Sequence, residues 1–296
     1  MKKIQTTALC AAVIVCAALF TTGCQENPPK PAPPAALDTN GISTSGTMRF
    51  DGEIISIPSP VIISAILQKN NIQFKQELLN GMNNKNKYIN ETKKALNLGL
   101  YGCDLAYLSN YNMGQVNIDY FDVVASLASD LEILDKIDKR IISKFQSNLS
   151  QRDSLLALNA EFFRAADLYL KSSERSHLSN LILIGGWVES LHLALDAAPQ
   201  NEDLRKRLAE QKYSAPSIRN LAGRLNDPAF APIKGEIEKL CSTLEGLEST
   251  YIYRQPINDQ REKKTYLRSQ TSVKMNDESL AILKQQIETA RNLIIE

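Results

Sequence analysis

The sequence predicts an all-α protein, a single bundle of about eight to nine helices over residues 59–296, behind 58 residues of a different character. Three observations predict it. Apolar residues recur at spacings of three and four along almost all of residues 59–296. Residues suited to helix caps, and Gly or Pro stops, separate one such run from the next. Only residues 250–274 lack the helical period, and they read as one small hairpin or a long loop.

The chain opens with Lys2 and Lys3, an apolar run from Ala8 to Phe20, and then Thr21-Thr22-Gly23-Cys24. A basic start, about 13 apolar residues and small residues before a cysteine are the parts of a secretory leader, and a spanning helix needs roughly 20. At the cysteine, Thr22-Gly23-Cys24 resembles the lipobox of bacterial lipoproteins cleaved by signal peptidase II, with Thr21 where Leu is usual. The resemblance covers residues 1–24 alone. It implies removal of residues 1–23 and a diacylglyceryl thioether on Cys24, usually with an amide-linked acyl chain such as palmitate. Several acyl chains anchor stably where one is marginal. A cell-envelope location is implied too, and Gln25, in place of the Asp of retained lipoproteins, favours the outer membrane.

Residues 24–58 read as a tether. Five prolines between Pro28 and Pro34 exclude helix and favour polyproline II, and the stretch to Pro58 is rich in Gly, Ser and Thr. About 35 such residues have an end-to-end distance on the order of 30 Å.

Ser59-Pro60 is a suitable helix start, followed by the apolar run Val61 to Leu67, with Asn80-Gly81 as its stop and Met82 to Lys87 as a loop. Residues 89–111 form the next helix. Tyr120, Val124, Leu127, Leu131 and Leu134 mark another, with Asp135 capping a continuation through Ile137, Ile141 and Phe145. Ser150 and Asp153 resemble a capping box before Leu155, Leu158, Phe162, Ala166 and Tyr169. A helix from about Glu174 to Ala198 ends at Pro199, and shorter ones follow near 201–213 and 216–225. Ile233, Ile237, Leu240, Leu244 and Leu247 form one more seam. In the last, Asn276 or Asp277 caps Leu280, Leu283, Ile287, Ala290 and Ile294. Within 250–274, residues 250–253 and 265–267 are the segments able to pair.

Without Lys2 and Lys3 the chain has 32 basic and 33 acidic residues, a formal charge of −1. A near-neutral chain lacks the basic excess of a nucleic-acid binder. Once the leader is gone and Cys24 lipidated, Cys103 and Cys241 remain, a pair that export would allow to bridge, or two small core residues in apolar helices.

The most unusual segment runs from Leu181 to Glu189 and contains Gly185 and Gly186. Each glycine within a helix costs about 1 kcal/mol relative to Ala, so a reason is expected. Gly186, Ser190, Ala194 and Ala198 form a ridge of small residues, and Ala95, Gly99 and Cys103, with Gly102 and Ala106 beside them, form another. Two such ridges predict a tight helix crossing flanked by Tyr101 and Trp187. The other use of the glycines is a groove for a flat ligand beside Trp187.

Glu189 and His192 have the spacing that di-metal carboxylate bundles use, and Glu174 and His177 repeat it in the same helix, the wrong arrangement for one shared site. Glu189 is expected in the core, near Asp104 or Glu161. Tyr101, Asp104 and Tyr107, with Asn97, Tyr111, Asp119 and Tyr120, form a second candidate. An inward Asp among tyrosines is a perturbed carboxylate with donors at hand, whereas tyrosines are equally at home half-buried with wet hydroxyls. In residues 250–274, Arg254, Arg261, Lys263, Lys264, Arg268 and Lys274 stand against Asp259 and Glu262, an excess of +4 able to meet an anionic partner, lipid headgroup or glycan.

No nucleophile elbow, P-loop, zinc cluster or dinucleotide fingerprint is present, so no cofactor or metal ligand is assigned. Three classes of function follow, in this order. The first is a lipid-anchored envelope scaffold or interaction protein with an envelope protein partner. The second is a small-molecule module around Trp187, and the third a metal-dependent enzyme using Glu189 and His192.

Overall fold

One helix is apolar around its whole circumference, and such a helix is buried on every side or in a membrane. Residues Ser176–Gln200 have a mean hydropathy of 1.4 over their most apolar window, of which 78% is buried inside the protein. The rest of the fold is built round this segment. The structure is a computed structural model and describes residues 47–50, 53–56, 66–67, 69–111, 113–148, 151–261 and 263–296. The leader, Cys24, the proline run, the helix start at Ser59-Pro60 and the cap at Ser150 lie outside the described residues.

Ser45–Glu296 form one compact unit. Its described α-helices are α1 (Glu91–Ser109), α2 (Gln115–Asp130), α3 (Lys139–Ser147), α4 (Arg152–Ser172) and α5 (Ser176–Ala197), then α6 (Glu202–Glu210), α7 (Ala215–Gly223), α8 (Ala231–Glu245) and α9 (Asp277–Ile295). The all-α class is thus observed. α5 packs most extensively on α1, and also on α4, α6 and α9; α2 lies on α1, and α8 bridges α7 and α9. The expected seams face the core, with Tyr120, Val124 and Leu127 of α2, Ile233, Ile237, Leu240 and Leu244 of α8, and all five seam residues of α9 buried. Phe121 of α2 stacks on Phe145 of α3, ring centroids 4.1 Å apart, and meets Phe162 of α4 edge-on.

The small-residue ridges cross as expected. A Cβ on Gly99 would lie 1.9 Å from the Ile182 carbonyl oxygen, and one on Gly185 would lie 1.9 Å from that of Leu96. Gly186 faces the Gly99 backbone, and Gly102 sits under the Phe163 ring. The two backbones therefore touch at positions where any side chain would hold them apart. Cys103 and Cys241 are buried and unbridged.

Several boundaries differ from the sequence expectation. The first helical turn, described at Ile66, Leu67 and Lys69, ends at Asn70 and Asn71, not at Asn80-Gly81. Asn71 adopts φ 49°, the left-handed conformation Asn tolerates, and the Asn70 amide donates to the Ile66 carbonyl. Met82–Lys87 is a 3-10 helix where a loop was expected. Asp138, not Asp135, caps α3 by accepting from the Arg140 amide, and Gln151 precedes α4 without a side-chain cap. Asn276 caps α9, accepting from the Ser279 amide.

Two hairpins also emerge. Strands β1 (Thr47–Phe50) and β2 (Glu53–Ser56) pair antiparallel inside the stretch expected to be tether, and β2 packs on α7. The two residues between them are Asp51-Gly52, a favoured sequence for a two-residue hairpin loop, and Met48, Phe50, Ile54 and Ile55 give strand-forming side chains. Residues 249–273 form one hairpin in two tiers. Strand β3 (Ser249–Ile252) pairs with β6 (Gln270–Val273), and β4 (Ile257–Asp259) pairs with β5 (Lys264–Tyr266). Residues 250–253 and 265–267 therefore do not pair with each other.

The glycine contacts make opposite predictions for similar substitutions. Gly99→Ala and Gly185→Ala should each destabilise by about 1–3 kcal/mol or more through overpacking. Gly235→Ala in α8, where a Cβ meets open space, should stabilise by up to about 1 kcal/mol. Urea denaturation of the three variants checks this, and equal effects would remove the backbone crossing as the explanation.

Candidate functional site

The crossing of α1 and α5 carries Asp104 and Glu189 into the same enclosed region. Glu189 is fully buried and receives two hydrogen bonds from Arg291 of α9, Nε to Oε2 at 2.6 Å and Nη2 to Oε1 at 2.9 Å. This is a bidentate, charge-assisted pair. Arg291 Nη2 also donates to the Leu78 carbonyl at 3.0 Å. His192 places Nε2 3.1 Å from that same carbonyl. A carbonyl only accepts, so Nε2 carries the proton, and burial pulls the imidazole pKa down, keeping the ring neutral.

Asp104 is fully buried beside Glu189. Its Oδ2 accepts from the Asn80 amide at 3.0 Å, and Oδ1 meets no protein donor. Burial pushes the Asp104 carboxyl well above the usual carboxylate range, and the neighbouring Glu189 carboxyl pushes it further. Arg291 holds both Glu189 oxygens, so of the two neighbouring carboxyls Asp104, raised by burial, is the one favoured to keep its proton.

Asn80 organises the rest. Its Nδ2 donates to Tyr88 OH at 2.9 Å, its Oδ1 accepts from Asn84 at 2.6 Å, and its carbonyl accepts from Tyr120 OH at 2.9 Å. Tyr101 OH donates to the Gly81 carbonyl at 2.8 Å, and burial raises the pKa of both Tyr101 and Tyr120. Asn97 donates to the Ile294 carbonyl at 2.8 Å, and Lys93 donates to that of Leu293, so side chains of α1 satisfy the end of α9.

The sequence candidates thus divide. Asp104, Glu189, His192 and Tyr101 converge, joined by Arg291, Asn80 and Tyr88. Tyr107 lies elsewhere, in a cluster with Phe74 and Tyr111 where its hydroxyl accepts from the Lys75 amide. Trp187 lines no groove: its indole is 0% exposed and donates to Gln211 Oε1 at 3.0 Å. Glu161, Glu174 and His177 are exposed and join nothing here. Among the described residues, no group of three His, Cys, Asp or Glu is placed to hold a metal ion. Arg291 was legible only as a charge four residues after Ile287 on an apolar seam, a position that demands a partner. The cluster is buried and its hydrogen bonds point inward, with Asp104 Oδ1 left without a protein donor.

The exposed features lie in the two-tier hairpin. From Ser249 to Ser272, every described residue is exposed except Asp259 and Ser269, which are partly so. Tyr251, Ile252, Tyr253, Ile257, Tyr266 and Leu267 all show large apolar side chains to solvent, Tyr253 at 66% and Leu267 at 85%. Most large apolar residues exposed among those described belong to this one arm. Val273 and Met275 are buried at its base, and the Arg254 amide and carbonyl both bond the Ser269 hydroxyl between the tiers. Comparison with known protein families, characterised proteins and solved structures finds no match to this chain.

Protonated Asp104 sets a pH dependence. The folded state keeps this proton to higher pH than the unfolded chain, whose carboxyl titrates near 3.8. The stability due to this carboxyl is therefore greatest at low pH and falls as pH rises through the ordinary carboxylate range and beyond. Asp104→Asn, which mimics the protonated acid, should abolish that fall and change stability at neutral pH by less than about 1 kcal/mol. Arg291→Met, which leaves Glu189 uncompensated, should cost about 3–5 kcal/mol. Chemical denaturation across pH tests both, and a loss in Asp104→Asn as large as in Arg291→Met would mean that Asp104 is ionised.

Proposed function

We propose that this chain is a lipid-anchored cell-envelope protein with a non-enzymatic role, engaging its partner through the arm at residues 249–273. The observation that carries the reading is the arm's exposed apolar side chains. A soluble protein rarely gathers exposed apolar surface at one place without an interaction to cover it. The Thr22-Gly23-Cys24 lipobox supports the anchor, and the burial of the Asp104–Glu189 cluster leaves the exposed arm as the surface able to engage a partner. Neither a ligand groove at Trp187 nor a metal at Glu189 and His192 gains support from the geometry, since the indole is enclosed and the carboxylate is held by Arg291.

Cysteine labelling tests this reading. Cys103 and Cys241 are buried, so Leu267→Cys in the arm and Leu168→Cys on the exposed face of α4 supply single accessible thiols. In intact envelopes a maleimide should label Leu168→Cys well and Leu267→Cys several-fold less, with both labelling equally in the purified protein. Equal labelling at both positions in envelopes would refute the arm as the engaged surface. Cys24→Ala should lose acyl-chain incorporation and move the protein out of the membrane fraction; retention there would refute the anchor.

A further inference from the structure

Resting on the reading that the arm is the engaged surface, we infer that what it engages is an anionic lipid bilayer. Charge and side-chain chemistry point the same way. The arm carries a formal +3, and the chain from Cys24 onward carries −1, so everything outside the arm carries −4. A negatively charged surface attracts the arm and repels the body, which fixes one orientation of approach. Arg254, Arg261, Lys263 and Arg268 are exposed and interleave with Tyr251, Tyr253 and Leu267. Tyrosine, apolar in its ring and polar at its tip, favours the headgroup level of a bilayer, where Lys and Arg meet lipid phosphates.

The arm is also built to hold this surface out. Its tip turns through Lys263 at φ 52°, with the Arg261 amide bonded to Asp259 Oδ1 at 2.9 Å. The Ser269 hydroxyl ties the two tiers together through both backbone groups of Arg254. Strand addition by a protein partner suits the arm less well. Its strands are three or four residues long, with Pro256 between β3 and β4 and Lys264 opening β5, features that discourage edge pairing.

Flotation with vesicles tests the inference on the full mature chain bearing Cys24→Ala, so that no acyl chain contributes. Vesicles of phosphatidylethanolamine and phosphatidylglycerol should capture the protein, phosphatidylcholine vesicles should not, and added salt should release it. The triple variant Arg261→Glu, Lys263→Glu, Arg268→Glu should bind about tenfold less or weaker still. Tyr253→Ser with Leu267→Ser should also bind less, and both variants should keep the parent's circular dichroism because the altered residues are exposed. Equal capture by both vesicle types would overturn the inference. So would failure to bind either while Leu267→Cys stays protected in envelopes, an outcome that assigns the arm to a protein and leaves the proposed function standing. Loss of that protection as well would overturn both.

Discussion

The fold depends on the approach of two backbones. Where Gly99 lies under the Ile182 carbonyl and Gly185 under that of Leu96, α1 and α5 are separated by main chain alone. Each glycine lowers the helical propensity of its own segment, and the close contact offsets that cost with dispersion between densely packed atoms. Everything else takes its place from this contact. α2, α4, α6 and α9 pack around the pair, and the same crossing sets Asp104 of α1 against Glu189 of α5.

That second encounter is less comfortable. Two carboxyl groups meet in a region without solvent, and they are tolerable because one holds a proton and the other faces Arg291. A buried ion pair is weak evidence for net stability, since desolvation consumes most of the attraction. What the pair supplies is registry. Only one docking of α9 brings Arg291 within reach of both Glu189 oxygens and the Leu78 carbonyl, while Asn97 and Lys93 close on the helix end.

Much of the helical architecture was legible because apolar spacing reports burial directly. The seams of α8 and α9, the stop at Pro199 and the cap at Asn276 follow from local sequence alone. The small-residue crossing was legible for the same reason, because glycine in a helix needs a neighbour. What remained hidden was nonlocal. Asn80 resembles a helix stop, yet it joins Tyr88, Tyr120 and Asp104, residues up to 40 positions away. Arg291 is 102 residues from Glu189, and no local pattern links them. The Asp51-Gly52 signal for β1 and β2 was present but lay in a segment whose prolines suggested extended chain throughout. The arm was half legible: its charge was plain, but the pairing was set by a two-tier register that the tyrosines alone do not specify.

The position of Arg291 also bears on when the protein can fold. A nascent chain that has not yet made residues 277–295 has both carboxyls and no guanidinium to face them. Glu189 must then stay hydrated or take up a proton until α9 docks. The last helix therefore completes the core, supplying the guanidinium that Glu189 faces in the folded protein.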